Sequence, residues 1–195
     1  MRSIMKSIKF KLLIFIGIIV FIFSAILIRR THHMVTSRIE DLTRQELMLA
    51  LDFNLAIREY VAETIRPLMF KLVDKDVFIP ETMSASFVSR NIFEKVRRKF
   101  PNFLIKFSSG NPRNPINRAG SEELKMIRYF NEHPQDTMWT GQVEMDGKQY
   151  RAVVSAMRME KACLRCHDNP ADAPHELIER YGSKASFYRP IGMVL

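Results

Sequence analysis

Seventeen consecutive residues, Leu12 to Ile28, carry no charge. With Phe10 and the stem of Lys11 extending it, a run of that length is enough for a helix to cross the hydrocarbon core of a bilayer. A cleaved leader would have a shorter apolar region and small residues at its cleavage site, and Leu27-Ile28-Arg29-Arg30 offers none. A buried core helix fits less well, because nothing polar interrupts the run. The expectation is an uncleaved anchor, with residues 1–30 forming a cytoplasmic amino terminus and one transmembrane helix.

Charge has to be read against that anchor. The formal net charge is +9, of which Arg2, Lys6, Lys9, Lys11, Arg29 and Arg30 supply +6, leaving +3 for residues 31–195. The basic excess therefore flanks the apolar run, and no nucleic-acid partner is expected. Lysines and arginines lie on both sides of the span, so the positive-inside rule leans only slightly toward a cytoplasmic amino terminus.

Beyond the anchor the periodicity predicts one long helix from Val35 to Asp74. Ile57, Val61, Ile65, Leu68 and Leu72 form its apolar face, and Pro67 should kink or restart it. Residues 31–50 read as a membrane-proximal helical stalk suited to pairing with a second copy of the chain, and residues 51–195 as the folded domain. A second helix is expected from Ser84 to Lys99, followed by a strand in which Phe103, Ile105 and Phe107 alternate with Leu104 and Lys106. Residues 109–117 form a rigid polar loop dense in Asn, Pro and Arg, suited to holding the polar end of a ligand. Ser121 should cap a helix running to Asn131. Met138–Met145 and Lys148–Met157 flank Asp146-Gly147, which is a hairpin signal. A short helix follows from Pro174 to Tyr181, and Ile191 to Leu195 read as the start of a strand, as if the chain were cut within an element. The fold class implied is α+β: an antiparallel sheet with flanking helices, preceded by one transmembrane helix and a long helix.

Both cysteines of the chain fall within Cys163-Leu164-Arg165-Cys166-His167. Cys-x-x-Cys-His is the pattern for covalent attachment of a c-type haem. Two thiols three positions apart add across the two porphyrin vinyl groups, and the adjoining imidazole becomes the proximal ligand of the iron. Three other readings stay open. A thioredoxin-like pair needs a helix start in a βαβ setting, a zinc site needs a fourth ligand that His175 could supply, and a short-loop disulfide needs an oxidising compartment. The favoured reading is one haem c, bound covalently through Cys163 and Cys166, with His167 as the axial metal ligand. Thioether formation takes place outside the cytoplasmic membrane, so residues from 31 onward should face the periplasm of a bacterial inner membrane.

The second axial ligand is not readable. Met69, Met83, Met157, Met159, His133 and His175 have suitable chemistry, but each also suits ordinary packing, and His32 and His33 lie too near the membrane. No acid–base or nucleophile cluster stands out, so no enzyme is expected.

A family likeness joins these parts. The 103–107 strand, the Asn111-Pro112-Arg113-Asn114-Pro115-Ile116-Asn117 loop, the Glu122-Glu123-Leu124 helix start, the hairpin through Tyr150-Arg151-Ala152 and the Cys163–His167 motif together resemble the Tll0287-like c-type haem family. The resemblance covers roughly residues 40–195. It implies a PAS-like sensor module outside the membrane, ahead of a signalling output such as a histidine kinase, with Cys163 and Cys166 binding haem and His167 on the iron. Some relatives place a cysteine in the first long helix as the second axial ligand; no cysteine precedes Cys163 here, so that role does not transfer. The function implied is a haem sensor responding to redox state or to a small gas. The alternative is a membrane-anchored monohaem cytochrome that carries electrons, against which the late position of the motif argues.

Overall fold

The computed structural model describes residues 8–145 and 147–194. The first seven residues, Asp146 at the tip of the expected hairpin, and Leu195 lie outside the described residues. The chain divides into two compact units, Met1–Leu47 and Met48–Leu195.

The apolar run is helical, so its backbone groups are paired within the segment, as a membrane crossing would require. It belongs to α1 (Ile8–Tyr60), a 53-residue helix long and apolar enough to cross a membrane once. Within the second unit α1 passes into a π turn, Val61–Ile65, and then into α2 (Arg66–Leu72). The Arg66 N–H donates to the Val61 carbonyl, five residues back. Pro67 explains the widened turn, because it has no N–H and its ring clashes with the carbonyl four residues earlier. It settles into the first turn of α2, where no N–H is needed.

That turn also corrects the expected apolar face. One extra residue rotates everything after it by about 100°. Val61 is accordingly 1% exposed, whereas Leu68 and Leu72 are 53% and 69% exposed.

A short helix, α3 (Pro80–Met83), leads into α4 (Ala85–Arg97), whose cap is the Ser84 hydroxyl accepting from the Phe87 N–H. Residues 103–107 alternate between half-buried and exposed, as expected, but they pair with no strand; the segment ends in an isolated bridge between Ser109 and Arg118. Alternation reports a half-buried extended chain and says nothing about a hydrogen-bonding partner. In α5 (Ser121–Glu132) the cap is Gly120, one residue before the expected serine, with its N–H bound by the Glu123 carboxylate at 2.7 Å.

The hairpin is present. Strands β1 (Met138–Met145) and β2 (Lys148–Ser155) pair antiparallel in a two-stranded sheet, with Met145 opposite Lys148 and Gly147 at φ 72° in the connecting turn. Near the end of the chain, Arg158 and Val194 form a single bridge, backed by the Met159 N–H on the Met193 carbonyl at 3.0 Å, in place of the expected strand. The motif runs from the end of a 3-10 turn (Lys161–Cys163) through α6 (Leu164–His167), and α7 (His175–Tyr181) ends at Gly182, whose φ is 74°. The architecture is thus mixed α+β and helix-rich, with a long amino-terminal helix and a small antiparallel sheet. Leu177 of α7, Ala173 and Phe187 form a core cluster, and Phe78, Ile178, Tyr181 and Cys166 pack against it.

Candidate functional site

Cys163 ends a 3-10 turn and Cys166 and His167 follow on α6, so about one helical turn separates the two sulfurs. Both thiols are free and partly exposed. Burial raises the pKa of Cys166, against the opposing influence of Arg113, Arg66 and Arg165.

The motif is gripped from three directions. From the carboxyl-terminal side, the Tyr188 N–H donates to the Asp168 carbonyl at 3.1 Å and the Arg189 N–H to the His167 carbonyl at 3.2 Å. Two positions before Tyr188, Ser186 is buried and has φ 62°, a left-handed conformation that is unfavourable for a residue with a side chain. That conformation accompanies a carbonyl 2.8 Å from His167 Nδ1, with the Ser186 hydroxyl 3.1 Å from the same nitrogen. A carbonyl can only accept, so the ring carries its proton on Nδ1, and Nε2 keeps a free lone pair.

From the polar loop, the Arg113 guanidinium donates to the Cys166 carbonyl, reaches the Ser186 carbonyl at 3.5 Å, and lies 4.5 Å from the centre of the Phe187 ring. From α2, Phe70 receives the Arg165 guanidinium 3.6 Å from its ring centre, and Arg165 also donates to the Lys75 carbonyl.

Arginine dominates the electrostatics. Burial, then Arg113, lowers the His167 pKa to about 4, so the imidazole is neutral at neutral pH. Arg66 acts on both Cys166 and His167, and the lowered pKa of Arg58, due first to burial and then to Arg66, is partly offset by Cys163. Arg66, at the start of α2, thus adds to the positive field at Cys166 and His167.

Of the candidate second axial ligands, Met83 is buried with its sulfur accepting from the Ile79 N–H at 3.2 Å, and Met159 is buried with its backbone tied to Met193 and Gly192. His133 stacks on Tyr129 with Nδ1 2.9 Å from the Tyr129 carbonyl, His175 is exposed beside Glu179, and Met157 is exposed. Met69 is half-buried on α2, next to the Phe70 that meets Arg165.

The donor set suits a haem. Two free thiols sit at thioether spacing beside a neutral imidazole with Nε2 available. The buried Nε atoms of Arg58, Arg113 and Arg189 have no hydrogen-bond acceptor and could meet anionic groups. A zinc site fits less well: among the described residues no group of three His, Cys, Asp or Glu side chains converges on a metal position. A thioredoxin-like pair lacks its setting, because the motif follows an antiparallel hairpin.

Arg113 was visible beforehand as part of an unusual loop. Arg58, Arg66 and Ser186 were not, since an arginine on a helix or a serine in a loop carries no signal of its own.

A search of the curated proteins returned no match. Among solved structures, one match is titled "Crystal structure of the cyanobacterial heme-protein Tll0287", with a TM-score of 0.61 at 11% identity, covering 78% of this chain and 89% of that one. At that identity the likeness is one of fold. The Tll0287-like family model, described as Tll0287, matches residues 36–195. Spanning well over half the sequence, that match shows that the chain belongs to the Tll0287-like family.

Proposed function

We propose that this chain is a membrane-anchored c-type haem protein whose folded unit, exported to the periplasm, senses redox state or a small gas and relays it across the membrane. One haem is held by Cys163 and Cys166, with His167 on the iron. The observation that carries the reading is the 2.8 Å hydrogen bond between His167 Nδ1 and the Ser186 carbonyl, which orients the ring and leaves Nε2 as the ligand atom. Bound haem supplies a one-electron couple and, where an axial position is free, a site for a diatomic ligand.

The protein's own residues do the rest. Ser186, Tyr188 and Arg189 hold the motif segment, and Arg113 ties it to the polar loop. Phe70 of α2 stacks under Arg165 of the motif and Arg66 adds its charge at His167, so α2 is the element through which a change at the motif would reach the long helix. The exposed apolar residues Val35, Ile39 and Leu42, spaced 35, 39, 42 along α1, support pairing with a second copy. A downstream signalling domain would read the resulting shift.

The test is the absorption spectrum of the purified full-length protein, oxidised and reduced, with and without carbon monoxide. A sensor of gases shows a carbon monoxide shift on reduction. A redox sensor shows none but alters its downstream output with potential, whereas fast electron exchange with a redox partner and no effect on output would identify an electron carrier instead.

A further inference from the structure

Arg113 stands where two parts of the site meet. Its guanidinium donates to the Cys166 carbonyl, which belongs to the peptide leading into His167. It also reaches the Ser186 carbonyl at 3.5 Å, the same oxygen that accepts from His167 Nδ1 at 2.8 Å. Phe187, buried at 6% exposure, lies under the guanidinium and limits its movement. Arg189 is the comparison. It too is a cation felt by His167, but its guanidinium donates to the Asn111 carbonyl at 3.2 Å.

We infer that Arg113 is the positioning residue for His167: it fixes the peptide that carries the ring and shares the carbonyl that orients it. The inference rests on the haem reading of the motif. A carbonyl that accepts from a guanidinium has less electron density to offer the His167 N–H, so the imidazole is a weaker donor to a bound metal. The fixed positive charge also disfavours the oxidised metal. Both effects raise the reduction potential, and removing Arg113 should lower it.

The experiment is a spectroelectrochemical titration of the haem-loaded full chain as wild type, Arg113→Met, Arg113→Lys and Arg189→Met, with the covalent haem content of each recorded. Arg113→Met should keep covalent haem and shift the one-electron equilibrium toward the oxidised form about tenfold, which corresponds to 59 mV. Arg113→Lys retains the charge but not the planar group that reaches both carbonyls through one nitrogen while stacked on Phe187, and should show a smaller shift in the same direction. It serves as the deciding variant if Arg113→Met does not accumulate. Arg189→Met should shift the equilibrium less than Arg113→Met. An unchanged potential in the Arg113 variants with haem attached would overturn the inference, and so would an Arg189→Met shift equal to that of Arg113→Met, which would reduce Arg113 to a distant charge. A wild type without covalent haem would overturn the haem reading and this inference with it.

Discussion

His167 and Ser186 meet twice: ring nitrogen Nδ1 lies 2.8 Å from the Ser186 carbonyl oxygen and 3.1 Å from its hydroxyl. The residue that accepts from the ring is buried and left-handed, at φ 62°. Strain of this kind persists only where the surroundings over-determine it, and here the surroundings are the motif itself. The backbone bonds from Tyr188 and Arg189 onto the Asp168 and His167 carbonyls hold the segment in place.

The core under the motif should be sensitive to truncation. Leu177 is 1% exposed, and Cys166 packs against the cluster it belongs to. Leu177→Ala is expected to destabilise the domain by roughly 2–5 kcal/mol. Chemical denaturation checks it, and a change below about 1 kcal/mol would mean the site collapses around the cavity or is not core.

Gly182 closes α7 with φ 74°, and its N–H donates to the Ile178 carbonyl at 2.8 Å. A Cβ there meets open space, so any cost of Gly182→Ala is one of backbone conformation alone. With ψ 176° the residue lies in a region essentially reserved for glycine, and about 1–3 kcal/mol of destabilisation is expected. Thermal unfolding of the variant beside wild type measures it, and an unchanged midpoint would show that the turn re-forms without the positive φ.

Glu123 gives a pH dependence. Burial alone would raise its pKa, but hydrogen bonds from Lys106 and Ser108 and from the Gly120 N–H, with the Lys106 charge, bring it below the ordinary carboxylate value. A depressed folded-state pKa means the unfolded chain takes up the proton first. The stabilisation is therefore full above the unfolded carboxyl pKa and is lost as pH falls through the folded value. Denaturation midpoints measured from neutral to acid pH should fall more steeply for wild type than for Glu123→Gln. Parallel curves would show that the carboxylate is not coupled to folding.

Membrane attachment is a separate matter. If Leu12–Ile28 crosses the bilayer, alkaline carbonate will leave the full chain in the membrane fraction and release a variant lacking residues 1–30. Release of both would reduce the helix to a peripheral one.

Much of the fold was legible. The uncharged run, the hairpin around residues 146–147 and the helices at 85–97, 121–132 and 175–181 all follow from local pattern, because each is decided within its own stretch of chain. The strand expected at 103–107 did not form, since alternation cannot supply a partner. Leu68 and Leu72 came out exposed because a π turn caused by Pro67 breaks the helical period one turn earlier. At the site, the Cys163–His167 motif and the Arg113 loop could be picked out in advance. Ser186 could not: its part depends on a backbone conformation and on a contact 19 residues away, neither of which its residue type encodes.

On the proposed function, Cys163 and Cys166 carry haem covalently. Acid–acetone extraction of the full-length protein, matured where c-type haems are attached, followed by a pyridine haemochrome spectrum of the protein residue, tests it directly. Wild type should keep its haem through extraction with a c-type spectrum, Cys163→Ala and Cys166→Ala should each shift the spectrum toward a single thioether, and the double variant should lose haem to the solvent. Haem that extracts completely from wild type, or a wild type that acquires none, would contradict it.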